Sequence, residues 1–518
     1  MAIYKEAYQE IEEVVGPEYI TDDPAIQDSY RSRDLTIVMP ANTEQVASVI
    51  KICNKYQVTF KAVSTGWAFF PPGQEIVYMD LRRMNHLIEI NEKSLYAVVE
   101  PYVISAQLHA ELIKRGLHTN MKGSGSQCTA LALSGHGHLG YSTSTGDRND
   151  LATEWVTDEG EIVRLGSLAS CGEWFCGDGP GPSLRSIIRS GGIITKQATK
   201  LYHWPGPSRF PLEGTSPSYY LNPFPSNFMV RYFTFPTREK LITAEIKIGE
   251  SEIAFELMGF CISMVSSNIS TNNEEDFANL ERLTKLTRGR PGFMVILAGN
   301  FPEDLDYKKA VLDQIMKEND GESLKAVEDD KNVEGTLLFQ CTRITGSIRE
   351  TFRAGGLFSS VMIEGQRYTQ HVTWLEEAAV RKRELMKKGL IVMDDGQQFG
   401  WGEEMGQLGH SEIFCRHTTE PASWNAVIDW GKKTNRIAVD NNICIPLSSP
   451  TMALPIDEVG PLASNYHIWY GKLKKAFDPQ GVGELTGFSL SGSDSSARHT
   501  SIYDTKEKTA KRVGGRNF

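Results

Sequence analysis

Between residues 123 and 146 glycine recurs at Gly123, Gly125, Gly135, Gly137, Gly140 and Gly146. A regular helix or long strand does not survive at that density of the residue that loses most conformational freedom on ordering. Such a stretch folds as a series of turns, so the ordered elements must lie on either side of it. Upstream, Thr36-Ile37-Val38-Met39-Pro40 reads as a short strand ending at a proline turn. Asn42 to Tyr56 reads as a helix capped by Thr43, with Val46, Val49, Ile50 and Cys53 along its apolar stripe. Thr59 to Val63, Ile76 to Leu81 and Leu95 to Glu100 are rich in β-branched and aromatic residues and read as strands. Gln107 to Arg115 reads as a helix stopped by Gly116. Downstream, strands at 153–157 and 162–165 flank the turn Asp158-Glu159-Gly160-Glu161, and Ile193 to Leu201 forms a further strand. The class is α+β.

With 518 residues the chain exceeds one ordinary hydrophobic core, and a second module is expected. Six prolines from Pro205 to Pro225 mark the change of texture. We place a nucleotide-binding module at 1–210, a substrate-covering module at 211–470, and a segment at 471–518 that returns to the first module. In the second module Phe228 to Phe235 and Gly292 to Ala298 read as strands, and Glu275 to Thr287, Asp306 to Lys317 and Trp374 to Lys388 as charged helices. Tyr466 to Phe477 reads as a terminal helix. The net charge of −11 disfavours an extended nucleic-acid surface. No apolar run is long enough to span a bilayer, and no secretory signal is visible at the start. Eight scattered cysteines suit a cytoplasmic chain with reduced thiols better than a disulfide framework or an iron–sulfur site.

Three turns offer backbone amides and little side-chain bulk to a dinucleotide: Ser64-Thr65-Gly66-Trp67 directly after a strand, Gly123-Ser124-Gly125-Ser126, and Ser134 to Tyr141. None carries the Gly-x-Gly-x-x-Gly or Gly-Lys-Ser/Thr phosphate fingerprints, and each alone serves equally well as a plain tight turn. Their order and setting carry more. Val38-Met39-Pro40, Val63-Ser64-Thr65-Gly66, Val77-Tyr78-Met79-Asp80-Leu81 with Met84-Asn85, Val98-Val99-Glu100-Pro101, Gly135 to Tyr141, Thr157 to Gly166 and Gly192-Ile193-Ile194-Thr195-Lys196 together resemble one known domain. It is the FAD-binding domain of the vanillyl-alcohol oxidase and p-cresol methylhydroxylase superfamily, which also contains D-lactate and glycolate dehydrogenases.

That resemblance implies a two-part α+β FAD domain, an α+β cap, and FAD bound in extended form. Ser64, Thr65, Gly66 and Trp67 would hold the pyrophosphate. Pro101, Ser124, Gly125, Ser126, Gly135, Gly137, Gly140, Tyr141, Ile193, Ile194 and Thr195 would surround the rest. The first turn has fewer glycines than many relatives, and Tyr102 stands where glycine is common. The turn from Ser64 to Phe70 holds no histidine, so the flavin is expected to be non-covalent.

On the substrate side, the richest cluster runs from Gly406 to His417. As a strand from Leu408 to Cys415 it would place His410, Glu412 and Phe414 on one face, where pairing with Glu412 would orient the His410 imidazole. His410 is the acid–base candidate, Arg416 a carboxylate binder, and Tyr141 a phenol brought towards the cavity by the flavin loop. The cluster also resembles the metal-binding strand of the hydroxy-acid dehydrogenases, but Gln407 and Phe414 stand where both histidine ligands belong, and no metal is assigned. The expected function is FAD-dependent oxidation of an alcohol, a 2-hydroxy acid or a phenolic or benzylic donor. A non-catalytic FAD subunit of a larger redox complex and a flavin-free binding protein remain open. Candidate partners are an iron–sulfur protein, a cytochrome, an electron-transfer flavoprotein or a second copy of the chain.

Overall fold

The computed structural model describes residues 3–30, 34–65, 75–122, 127–131, 137–139, 141–144, 148–181, 191–215, 218–259, 262–342, 353–365, 371–392, 399–441, 443–444, 452–463 and 465–483. Helix α1 (Lys5–Val15) and helix α2 (Thr43–Tyr56) pack together through Ala7, Ile11, Val15, Val46, Val49 and Ile50. The α2 cap is Asn42, whose side chain accepts from the Gln45 amide at 2.9 Å. Thr43, the expected cap, instead donates to Glu154 Oε1 at 2.8 Å. The longer reach of the asparagine side chain closes the first turn and frees the threonine for a contact 111 residues away.

Four strands, β1 (Ile20–Thr21), β2 (Leu35–Val38), β3 (Thr59–Val63) and β4 (Ile76–Asp80), form the first sheet in the order β1-β2-β4-β3. Strands β2 and β3 both run parallel to β4, so all three end on one edge. Strands β5 (Leu87–Asn91), β6 (Tyr96–Val99), β7 (Asp150–Val156), β8 (Ile162–Leu165) and β9 (Ile193–Lys200) form an antiparallel sheet in the order β8-β7-β9-β6-β5. Its covering helix is α3 (Ser105–Ile113), which buries Leu108 and Leu112 against Ala97 and Val99. Val156 and Ile193 share a core with α2 and β4, which welds the two sheets together.

The third sheet is mixed in origin along the chain but antiparallel throughout its pairings. Its strands are β10 (Phe228–Thr234), β11 (Ala254–Gly259), β12 (Gly292–Ala298), β13 (Glu322–Ser323), β14 (Leu357–Gly365), β15 (Phe399–Glu403) and β16 (Leu408–His417). They stand in the order β13-β10-β12-β11-β15-β16-β14. On one face, helices α4 (Arg238–Ser251), α7 (Pro302–Glu318), α9 (Val372–Lys387) and α10 (Pro421–Asp440) bury Leu257, Val295, Ile413 and Cys415. On the other face, α5 (Ile262–Ile269), α6 (Asn273–Thr287) and α8 (Lys331–Thr342) share a core with Met258, Ile296 and Phe414. That second core also takes in Ile113, Trp204 and Phe210, so this face of the sheet looks towards the nucleotide-binding module.

The last helix, α11 (Tyr466–Phe477), sits against the first module. Phe477 meets Trp155 edge-on at 5.3 Å, and Lys474 Nζ lies 3.3 Å from the buried Asp158. Val482 then accepts a hydrogen bond from the Phe60 amide of β3 at 2.9 Å. No helix among the described residues is long and apolar enough to cross a membrane.

Candidate active site

The shared edge of β2, β4 and β3 is where the Ser64–Thr65 turn begins. Val63 stands in register with Asp80, and the Leu81 amide donates to the Val63 carbonyl at 2.9 Å. Ligands of parallel sheets collect at such carboxyl ends because loops leave there with unpaired amides. Ser64 and Thr65 are half-buried in this position. Gly66, Trp67, Ser124, Gly125, Ser126, Gly135 and Gly140 lie outside the described residues. Gly137 is described, in a short strand over Gly137–Leu139 that pairs with Met121–Lys122 and so joins the two predicted glycine turns.

Ile193, Ile194 and Thr195 open β9, but the side chains of Ile193 and Thr195 are buried. Their contribution to a ligand is therefore backbone. Pairing of β9 with β6 starts only at Gln197 and Val99, and Ile193–Lys196 runs on past the end of β6, towards the Glu100-Pro101 turn. Gly192, at φ +73°, starts this strand; a Cβ there would stand 2.2 Å from Trp155 Nε1. Asp158 Oδ1 accepts from the Gly192 amide at 2.8 Å, and burial raises the Asp158 pKa against the pull of Lys474.

Three buried side-chain oxygens around these segments have no hydrogen-bond partner among the described residues: Asn120 Oδ1, Gln127 Oε1 and Thr143 Oγ1. All three lie within a few residues in sequence of the predicted glycine turns. Unpaired buried acceptors are costly, and a ligand rich in N–H and O–H groups would satisfy them. A flavin dinucleotide is such a ligand. The residues present fit it.

The segment carrying Tyr141, Ser142 and Arg148 is coupled directly to the β16 strand. Tyr141 accepts from the Met405 amide at 2.7 Å, Ser142 Oγ donates to the Phe255 carbonyl at 2.9 Å, and Arg148 pairs with Glu404. Residues 404–407 form the turn between β15 and β16, so this seam delivers the strand that carries His410. His410 itself is fully buried, in register with Trp401 of β15 and Glu364 of β14. Parity puts it on the same face as Met258 and Phe414, the face towards the first module.

Three expectations about side chains need correction. Tyr141 does not project into an open cavity: its ring packs so closely over Gly402 that a Cβ there would lie 2.9 Å away. It belongs to the apolar core of α4 and α7 and seals the seam. Arg416 is not offered to an incoming carboxylate. Both it and Asp276 of α6 are inaccessible to solvent, with Nη1 and Oδ2 2.8 Å apart, and Ser266 Oγ donates to the other Asp276 oxygen at 2.6 Å. Glu412 shares a face with His410, yet its carboxylate makes no hydrogen bond or ion pair among the described residues, so the anticipated His410–Glu412 pairing is not formed. His417 points to the opposite face, where it bonds Ser359 Oγ at 2.9 Å and the Thr418 carbonyl. It cannot join His410 in one ligand set.

Sequence reading missed the carboxylates that hold this framework, Asp80, Asp158 and Asp276. The signal for Asp80 was present: an aspartate closing an otherwise apolar strand has to be paired. It also missed His118, buried against the rings of Tyr202, Trp204 and Phe255 at 5.3–5.8 Å. Burial, reinforced by His109 and His203, pushes its pKa down to about 3, so it is a neutral packing residue.

Residues 35–166 match the FAD binding domain family. In sequence the chain is similar to the 4-cresol dehydrogenase [hydroxylating] flavoprotein subunit of Pseudomonas putida, 36% identical over 77 residues, which is 14% of this chain and 15% of that one. The matched stretch thus spans under one-sixth of that relative's length. In structure it is similar to p-cresol methylhydroxylase with substrate bound, at a TM-score of 0.70 and 15% identity, covering 92% of this chain and 95% of that one. It is also similar to 4-ethylphenol oxidase from Gulosibacter chungangensis in its isoeugenol complex, at a TM-score of 0.68 and 18% identity over the same shares.

Proposed function

We propose that the chain is a member of the vanillyl-alcohol oxidase and p-cresol methylhydroxylase superfamily of FAD-binding proteins, and an FAD-dependent oxidoreductase acting on a small phenolic or benzylic donor. Alcohols and 2-hydroxy acids form the wider donor class. The phenolic end of that class is favoured by what the two structural relatives hold, a cresol hydroxylase substrate and isoeugenol. Gln407 and Phe414, in place of histidine ligands, weigh against metal-assisted oxidation of a hydroxy acid. The cofactor is FAD, held without a covalent bond in this reading.

The observation that carries the proposal is the seam: the flavin-loop segment at Tyr141–Ser142 is hydrogen-bonded to the turn that launches β16, and three residues after that turn stands His410. FAD, when bound, would supply the acceptor for a hydride, and with it two electrons, from a carbon–hydrogen bond. His410 would take the proton of the donor hydroxyl, which neutral imidazole does well near pH 7. Full burial keeps bulk water from that proton. Arg416 and Asp276 act at a distance, fixing β16 against α6. Reoxidation by oxygen or by a redox partner, and a cytoplasmic location, are parts of the same proposal.

A donor screen with para-alkyl phenols, aromatic alcohols and 2-hydroxy acids, read as anaerobic bleaching of the flavin absorbance, tests the activity. With the donor found, His410→Asn is expected to keep FAD and fold while slowing flavin reduction by roughly 10²–10⁴-fold, the scale of acid–base catalysis. An unchanged single-turnover rate at saturating donor removes His410 from the chemistry.

A further inference from the structure

The edge that opens onto the Ser64–Thr65 turn carries a cation that the function above does not use. Asp80, the last residue of β4, is 1% exposed, and it holds Arg82 by three hydrogen bonds: backbone N to Oδ1 at 2.9 Å, Nε to Oδ2 at 2.9 Å, and Nη2 to Oδ2 at 2.6 Å. The Tyr30 hydroxyl donates to the same Oδ2 at 2.6 Å and accepts from Arg82 Nη2 at 2.9 Å. The guanidinium is thereby fixed in plane and direction. Its remaining arm, Nη1, makes no hydrogen bond among the described residues, and half of the side chain is exposed.

Tyr102 lies beside it. The phenol feels the charges of both Asp80 and Arg82, and burial followed by the Asp80 charge holds it above the ordinary tyrosine range, so it is a hydrogen-bond donor at neutral pH. Its hydroxyl makes no hydrogen bond among the described residues. The backbone fixes its place, since the Tyr102 amide donates to the Met84 carbonyl at 2.9 Å, two residues beyond Arg82. Two donors unused among the described residues, one cationic and one neutral, therefore stand at the carboxyl edge of β4 and β3, the edge from which Ser64 and Thr65 leave, and the sequence Ser64-Thr65-Gly66-Trp67 has a single glycine.

We infer that Arg82 and Tyr102 form a side-chain clamp for the diphosphate of the dinucleotide, doing by charge and hydroxyl what a glycine-rich turn does by amides. The chemistry matches. A diphosphate presents paired anionic oxygens, and a guanidinium edge held in plane by a buried carboxylate is pre-organised to meet them. Asp80 offsets part of the charge but leaves Nη1 as a donor on a side chain that is half exposed. The alternative, that Arg82 only locks Tyr30 and Asp80 in place, leaves Nη1 and the Tyr102 hydroxyl without a task. This inference rests on the FAD reading above but concerns residues which that reading does not require.

The test is binding of FAD, and separately of riboflavin, to apoprotein, followed by quenching of flavin fluorescence. Riboflavin has the ring system without the diphosphate. Arg82→Met is expected to weaken FAD by about 10–100-fold, to leave riboflavin unchanged, and to flatten the salt dependence of FAD affinity. Tyr102→Phe should weaken FAD by about 3–10-fold, also without touching riboflavin. Inorganic pyrophosphate should compete with FAD on the wild type and lose that competition on Arg82→Met. The clamp is overturned if Arg82→Met binds FAD as the wild type does. It is equally overturned if FAD and riboflavin weaken together with a fall in the apoprotein melting temperature, which marks a purely structural arginine. A wild type that binds no FAD at all would bring down the function proposed above and the clamp with it.

Discussion

Two aspartate–arginine pairs, one at the end of β4 and one between α6 and β16, differ in one respect. Asp276 and Arg416, between α6 and β16, are both closed to solvent. Asp80 and Arg82, at the end of β4, share a buried carboxylate, but half of the arginine side chain is open. Both pairs have N–O distances of hydrogen-bonded ions, 2.8 and 2.6 Å. What separates them is the far side of the guanidinium. In the cap it is covered by protein, so the charge is consumed in holding a helix to a strand. In the first module it faces outward, so the same chemistry presents a directed cation. Burial, more than residue type, decides whether an ion pair serves architecture or recognition.

The sharpest way to break this contrast is to delete the same atom group from each pair. Asp276→Ala should cost about 3–5 kcal/mol of stability, because it strands a buried arginine beside Arg353, whose Nη2 already lies 3.9 Å from the same carboxylate. Denaturant midpoints measure it, and a loss below about 1 kcal/mol would show that water reaches Arg416.

A second closed group gives a smaller effect that depends on pH. His118 has a folded pKa of about 3, below its unfolded value near 6.5, so the unfolded chain takes up a proton first as the solution is acidified. Stability is complete above that unfolded value and is lost progressively as pH falls towards 3. By pH 5 the loss should be on the order of 2 kcal/mol, and His118→Phe should remove that slope from the pH–stability curve. A slope that survives the substitution would mean that other groups drive acid unfolding.

The smallest effect belongs to the open pair. Asp80→Ala should cost about 1 kcal/mol, since water solvates the released arginine, while disordering the guanidinium that Asp80 had aimed. A cost equal to that of Asp276→Ala would erase the distinction between the two regions.

How much of this was visible beforehand followed the range of the interactions involved. Helices and strands with a clean local period were legible: Gly292–Ala298 and Tyr466–Phe477 run as read, and α2 differs only by its cap. Strand β5 and the 20-residue helix α10 passed unnoticed. In β5 the residues are only partly buried and so show no apolar alternation, and in α10 Trp424, Trp430 and polar residues mix around the helix. Of the site, strand β16 and the face bearing His410 could be read from alternation alone. The partner of Arg416 could not, because Asp276 is 140 residues away and no local pattern marks it. Tyr141 failed for a related reason. Its neighbours Gly249, Gly402 and Gly406 leave the space its ring fills, and a gap contributed by three distant glycines has no sequence signature.

The clasp formed by Asp158, Lys474 and Val482 also bears on the order in which the chain is completed. Strand β3 receives its contact from Val482 more than four hundred residues after it is synthesised, and Asp158 waits 316 residues for Lys474. The cap sheet lies wholly within residues 228–417, so on a ribosome it can close while the module around it still lacks its last piece. Loop closure over such a distance is slow to find and is made only once the last helix is free. The cofactor-binding half of this protein is begun first and finished last, and its maturation is a late event in the life of the nascent chain.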